Sequence, residues 1–371
     1  MGETILKSKG YTMLKMNLKI TLLASTLIAT TSVQSKTIKT KNLVVKKEAS
    51  SFYASTNLTS RFSSWGIDPN NSKSSINLSA SWKRFHKKKD ITVAVVDTGI
   101  QFNHPFLKDN LVAIKGRLGK KNYGMDFSTK SPTTTPDDSH GHGTHVSGIV
   151  KSIFPDVKIL ALKYYNPQAS GQANLDSTIK ALEYAVDQNV DIINYSGGGP
   201  EASSAELAVL KKAEKKGILV IAAAGNERSN IDRKKNAYYP ASYGLSNIIT
   251  VGAHDESNNL IAASNWGSKS VDIAAPGFRI KSAIPNNGAG FMTGTSQATA
   301  FVTGVVALVK SQFPEFNYQQ VRNIIISSSL KAKSLKGKVL GGGKLDASRA
   351  LDIATHVHDK LFSTGRNVAT K

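Results

Sequence analysis

Four short stretches carry residue types that could share one reaction. Val95-Val96-Asp97-Thr98-Gly99 places a carboxylate straight after an apolar run, which is costly at a buried strand end unless a partner stands at its mouth. Asp-Thr-Gly is ambiguous alone. Aspartic proteases use it, but they need two such carboxylates sharing a proton, and this chain has one. The stretch Asp138-Ser139-His140-Gly141-His142-Gly143-Thr144-His145 sets three histidines among small residues that open a helical pattern. One imidazole then projects at a helix start, fit for general base work. The spacing is not His-Glu-x-x-His and the motif has no glutamate base, which argues against zinc. His140 reads as a surface residue and His145 as a packed, hydrogen-bonded one. In Met292–Ala300, Ser296 lies between a Gly-Thr turn and a run of small residues. Its hydroxyl and N–H fall at a helix N-terminus, where partial positive charge favours an oxyanion; the plain alternative is an N-cap serine. In Ile221–Glu227, small residues end in Gly225-Asn226. The Asn226 amide can donate to developing negative charge, or simply serve a turn.

Positioning these groups falls to the elements between them. Ile91–Val96, Val157–Leu162, Asp191–Ser196 and Ile218–Ala224 are short apolar runs that read as buried strands. Leu175–Gln188 and Ala202–Lys216 read as helices, and Phe301–Lys310 as an apolar helix after Ser296. Strands alternating with helices predict an α/β fold, three layers (αβα) with a mostly parallel central sheet. Sites in such sheets gather at the carboxyl ends of the strands, where Asp97 and Asn226 fall. One domain spanning 65–355 is expected. Residues 36–64, rich in Lys, Ser and Thr, read as a short pro-segment or flexible arm, and 356–371 as a polar peripheral tail.

The formal net charge of +22 on 371 residues predicts attraction to anionic surfaces. No aromatic-interleaved basic stripe suggests a specific nucleic-acid site. The absence of cysteine removes disulfides, thiolate metal sites and a cysteine nucleophile. Lys15 and Lys19 precede the uncharged stretch Ile20–Val33, and Val33-Gln34-Ser35 offers a cleavage site. Residues 1–35 therefore read as a signal peptide, for a secreted or periplasmic protein. An uncleaved anchor is the alternative, although the stretch falls short of the roughly 20 apolar residues that span a bilayer.

Together the four motifs resemble the subtilisin (subtilase) family, which shares the chain order Asp, His, Ser, here Asp97, His142 and Ser296, with Asn226 before the serine. Trp65-Gly66, Ser170-Gly171-Gln172, Asp191–Ser196, Tyr239-Pro240-Ala241, Ala274–Gly277 and Gly343–Ala347 extend the resemblance over 65–355. It implies a subtilisin-like fold and a serine endopeptidase working through an acyl-enzyme. Ser296 would be the nucleophile, His142 the base and Asp97 its orienting partner, with Asn226 an oxyanion donor. It also implies that Ser170, Gly171 and Gln172 on one side, and Ser196, Gly197 and Gly198 on the other, pair with an extended protein or peptide substrate. A monomer with no required cofactor is expected. Relatives commonly carry Met after the nucleophile and Pro four positions on; Gln297 and Ala300 depart from this. Val150–Val157 is too short for one calcium loop of the family. Asp126, Asp137 and Asp138 resemble another acidic loop that holds calcium in other relatives, or form a solvated loop. Tyr238 stands where relatives place a small residue at the base of the pocket for the side chain preceding the scissile bond, which predicts a preference for small residues. The rival readings are a catalytically silent subtilase-fold binding protein and a polybasic wall- or nucleic-acid-binding protein.

Overall fold

Four of the predicted strands lie side by side at the centre of the molecule. In the computed structural model, which describes residues 60–114, 116 and 118–362, β1 (Thr92–Asp97) pairs in parallel with β3 (Lys158–Lys163) on one side and β4 (Ile192–Tyr195) on the other. The sheet continues through β5 (Leu219–Ala223), β6 (Ile248–His254) and β7 (Ile273–Pro276). It ends in β2 (Gly124–Asp126) at one edge and β11 (Gly343–Lys344) with β10 (Leu330–Lys331) at the other, nine strands in the order β10-β11-β7-β6-β5-β4-β1-β3-β2. Only β10 runs antiparallel within it. A separate antiparallel hairpin is formed by β8 (Ile280–Ile284) and β9 (Gly288–Met292).

The strands are apolar on both faces because helices cover both. Val93, Val95, Ile159, Ala161 and Ile221 pack towards α1 (Leu78–Trp82), α2 (His142–Ile153), α5 (Thr295–Gln312), α6 (Tyr318–Ser327) and α7 (Ala347–Phe362). The alternate residues Ala94, Val96, Leu160, Leu162 and Val220 pack towards α3 (Gly171–Asp187) and α4 (Ser204–Lys215). The period-2 alternation of a strand thus divides one apolar run between two cores, giving the expected three layers. Helix α5 is buried along nearly its whole length. It packs on β4, β5, β6 and β7 and crosses α2, where a Cβ on Gly304 would stand 2.6 Å from Ile153 Cβ.

Packed residues extend past both ends of the expected 65–355 body. Phe62 is buried and stacks on Phe106 with ring centroids 4.7 Å apart, so the packed body reaches back beyond Trp65. At the other end α7 runs through to Phe362, and His358 pairs with Glu315 at 3.0 Å and lies against Phe313. The first part of the expected tail is therefore helix. The signal-peptide reading of 1–35 lies outside the described residues.

Candidate active site

Asp97 is the last residue of β1, 3% exposed, with β3 and β4 on either side. Its Oδ1 accepts the Thr98 N–H at 2.7 Å and faces His142 Nδ1 at 2.7 Å. Its Oδ2 is buried with no partner in the described structure. His142 opens α2, and two features bring it there. Asp138 holds the turn before the helix: its Oδ1 accepts the N–H groups of His140 and Gly141 and the Thr98 hydroxyl, and its Oδ2 accepts the N–H and hydroxyl of Thr144. Gly143 then lets the helix start touch the loop after β1, since a Cβ there would lie 2.2 Å from the Gly99 carbonyl oxygen. Burial works against protonation of His142, but the Asp97 charge and hydrogen bond, with the more distant Asp138, outweigh it and raise its pKa above 6.5.

Ser296 sits in the first turn of α5. The helix begins at Thr295, which puts Ser296 at the expected helix N-terminus, and its threonine, serine and alanine let it pack among the strands without steric conflict. The Ser296 hydroxyl, on a residue 7% exposed, donates to the Ser196 carbonyl at 3.0 Å, and Ser196 Oγ donates to the Ser296 carbonyl at 3.4 Å. Val96 is registered opposite Tyr195, so Asp97 and Ser196 leave the sheet side by side. The serine is thereby held against the segment that leaves β4 beside Asp97. Asn226 stands on the other flank. Its Oδ1 accepts the Thr295 N–H at 3.0 Å and the Thr295 hydroxyl at 3.3 Å, which fixes the amide of this exposed residue.

The other expected site residues fare unequally. Ser196, Gly197 and Gly198 continue from the end of β4 without regular strand pairing, ahead of an isolated bridge between Gly199 and Tyr239. Ser170 instead caps α3, its Oγ accepting the Ala173 N–H, while its carbonyl accepts the Asn174 N–H. Gly171 and Gln172 are thus the first turn of a helix that starts four residues before the expected Leu175. Their N–H groups lie in the first turn, where no intrahelical carbonyl is available to them. The Tyr238 ring lies between the two glycine-bearing strand ends: Cβ atoms built on Gly198 and Gly225 would fall 2.5 and 2.9 Å from it. His145 is the packed histidine, its Nε2 at 2.9 Å from the Ile280 carbonyl, and burial first of all lowers its pKa to about 4. His140 is exposed, edge-on to Tyr165.

The acidic loop does not fit calcium. Asp138 is spent on the helix start, Asp137 accepts the Tyr123 hydroxyl, and Asp126 accepts the N–H and hydroxyl of Ser128 and lies 4.0 Å from Lys163. Calcium needs six or more oxygens converging on one point. Among the described residues, no group of three or more His, Cys, Asp or Glu side chains converges in that way.

Sequence reasoning missed one feature of this edge. A cavity of about 460 Å³ opens beside Gly198 and Gly199, walled by Tyr164, Tyr165, Tyr195 and Tyr239, with Glu206 in its lining. The adjacent pair Tyr164-Tyr165 at the carboxyl end of β3 was its visible sign. Glu206 was hidden, because Ser203-x-x-Glu206 reads as an ordinary capping box.

A model of the subtilase family matches residues 88–352. The major intracellular serine protease of Bacillus subtilis (strain 168) is 36% identical over 248 residues, covering 64% of this chain and 74% of that protein. Subtilisin amylosacchariticus of Bacillus subtilis subsp. amylosacchariticus is 36% identical over 249 residues, covering 65% of this chain and 60% of its own length. Among solved structures, a cold adapted subtilisin-like serine proteinase superposes with a TM-score of 0.59 at 28% identity, over 69% of this chain and 88% of that one. A subtilase cytotoxin structure gives a TM-score of 0.65 at 25% identity, over 78% and 98%.

Proposed function

The chain belongs to the subtilase family, and we propose that it is a secreted serine endopeptidase whose nucleophile is Ser296. The observation that carries this reading is the 2.7 Å Asp97–His142 pair, set beside a serine at a helix N-terminus and an asparagine amide held by its oxygen. In the reaction the Ser296 hydroxyl swings from the Ser196 carbonyl to His142 Nε2. Its oxygen attacks the peptide carbonyl as His142 takes the proton. Asp97 keeps the other imidazole proton on Nδ1 and stabilises the imidazolium. Negative charge moves to the carbonyl oxygen, where the Asn226 NH₂ and the Ser296 N–H receive it. His142 returns its proton to the leaving amine, the C–N bond breaks, and an acyl-enzyme remains. Water then attacks the ester by the same route in reverse, releasing the acid and restoring Ser296.

Secretion rests on the charge and apolar pattern from Lys15 to Ser35. Substrates are proteins or peptides lying against Ser196–Gly198 and the N–H groups that open α3. The high positive charge would hold the enzyme near anionic surfaces, more weakly as salt rises. A fluorophosphonate probe tests the central claim. It is expected to label the secreted protein and not Ser296→Ala; a folded wild type that stays unlabelled would point instead to a silent binding protein.

A further inference from the structure

Glu206 is 2% exposed, in the first turn of α4. Its N–H donates to Ser203 Oγ at 3.2 Å, half of a capping box. The other half is missing, for the Ser203 N–H donates to the Tyr243 hydroxyl at 2.9 Å and not to the glutamate. The carboxylate is turned instead into a shell of tyrosines. Tyr195 donates to Oε1 at 2.8 Å, and the single proton of the Tyr243 hydroxyl is shared between Oε2 at 2.8 Å and the Ser203 carbonyl at 3.0 Å. Burial raises its pKa and the two tyrosine hydrogen bonds oppose this; no cation contributes. Glu206 is therefore a buried carboxyl held by tyrosine hydroxyls, with no cation beside it among the described residues.

This carboxylate lines the cavity of about 460 Å³, with Glu201 exposed at its rim. In a chain of net charge +22, no lysine, arginine or histidine lines it. Tyrosine faces attract cations, the more so when water is excluded. An apolar occupant would seal Glu206 away without a counter-charge, which is unfavourable. The cavity also lies on the path of a substrate. Gly198 and Gly199 at its mouth are the second and third residues beyond Ser196, whose carbonyl holds the Ser296 hydroxyl. An extended chain advances about 3.3 Å per residue, so a side chain a few residues from the scissile bond reaches it.

We propose that this cavity receives a lysine or arginine side chain of the substrate, with the tyrosines as walls and Glu206 as counter-charge. The proposal rests on the endopeptidase reading and adds to it a charge selection by Glu206, favouring cationic peptides at a fixed offset from the bond that is cut.

Binding by Ser296→Ala protein separates the two claims, because it needs no turnover. Peptides carrying one lysine, scanned through successive positions, are compared by calorimetry with the same peptides carrying acetyl-lysine or norleucine. At one position the lysine peptide is expected to bind roughly 10- to 100-fold more tightly, the range of a charge-assisted hydrogen bond. Adding Glu206→Gln should bring that ratio close to one. Equal affinities for lysine and acetyl-lysine at every position, or a ratio that survives Glu206→Gln, would overturn the proposal. Should the glutamine variant fail to fold, the acetyl-lysine comparison decides alone. Wild-type cleavage of the same peptides is expected at a constant distance from the lysine. If wild type cleaves none and is not labelled by fluorophosphonate, the endopeptidase reading fails, while the affinities still judge the cavity.

Discussion

Replacing Asp97 by asparagine removes one charge and alters almost no volume, which makes it the sharpest test of the Asp97–His142 pair. Two terms set the expected loss. With charge centres about 4 Å apart and an effective dielectric constant of about 20, the carboxylate stabilises the imidazolium by about 4 kcal/mol, or roughly a factor of a thousand in rate. The second term is geometric. Oδ1 accepts both the Thr98 N–H and His142 Nδ1, while Oδ2 is buried without a partner. An asparagine that keeps its oxygen in the first position must bury an NH₂ in the second, at a cost of about 1–3 kcal/mol. Flipped, it faces the Thr98 N–H donor to donor and fixes the imidazole proton on Nε2, where it blocks transfer from Ser296. We expect kcat to fall by about three to four orders of magnitude, with KM little changed. The pH profile supplies an independent sign. In the wild type Asp97 raises the His142 pKa, so hydrolysis needs pH above 6.5 and is lost as pH falls through that raised value. Without Asp97 burial dominates, and the acid limb moves below 6.5. Rates on a fluorogenic peptide from pH 5 to 9 read both effects. A variant within tenfold of wild type, or one whose acid limb stays in place, would refute this account of the pair.

Three further outcomes follow from the same geometry. Asn226→Ala should lower kcat by roughly two to three orders of magnitude at nearly constant KM, a size carried over from a related subtilisin; a larger change in KM than in kcat would mean that Asn226 binds substrate rather than the oxyanion. The Tyr238 ring fills the space between Gly198 and Gly225, so peptide libraries should show wild-type cleavage after small residues, and Tyr238→Gly should gain roughly tenfold or more for Phe or Leu there. Best cleavage by wild type after Phe or Leu would count against it. Gly143→Ala would drive a methyl group against the Gly99 carbonyl oxygen, and denaturant unfolding should show a loss of about 1–3 kcal/mol; an unchanged midpoint would mean that the backbone there yields freely.

What was legible in the sequence follows from burial. The spans read for β1, β3, β4 and β5 differ from the structure by one residue at each end, because strands covered on both faces must be apolar throughout. Ile273–Pro276 escaped notice because its small alanines carry little strand signal, although it completes the centre of the sheet. The boundary at residue 355 falls inside α7 because the outer face of that helix is polar, and only tertiary packing shows that His358 reaches Phe313 and Glu315. Asp97, His142, Asn226 and Ser296 could be picked out because each stands beside glycine or other small residues where an element begins or ends. Glu206 could not, because its local pattern is that of a helix cap. Only the arrival of Tyr195 and Tyr243 from elsewhere in the chain turns its carboxylate into a cavity wall. The helix at Gly171 was misread for a similar reason: Ser170 supports either an extended segment or a cap, and its neighbours Ala173 and Asn174 decide for the cap.

The placement of α5 also bears on when this chain can first act. The helix bearing Ser296 is enclosed by strands whose residues precede it by about 20 to 100 positions, and by α2, which precedes it by more than 140. Contacts that close such long loops carry a high entropic cost and tend to form late. Until they form, the Ser296 hydroxyl has no His142 to receive its proton and no Asn226 beside its helix start. In the proposed mechanism, a molecule in which α5 has not docked is thus unarmed. For a protease surrounded by unfolded copies of itself, the fold is its own timing device.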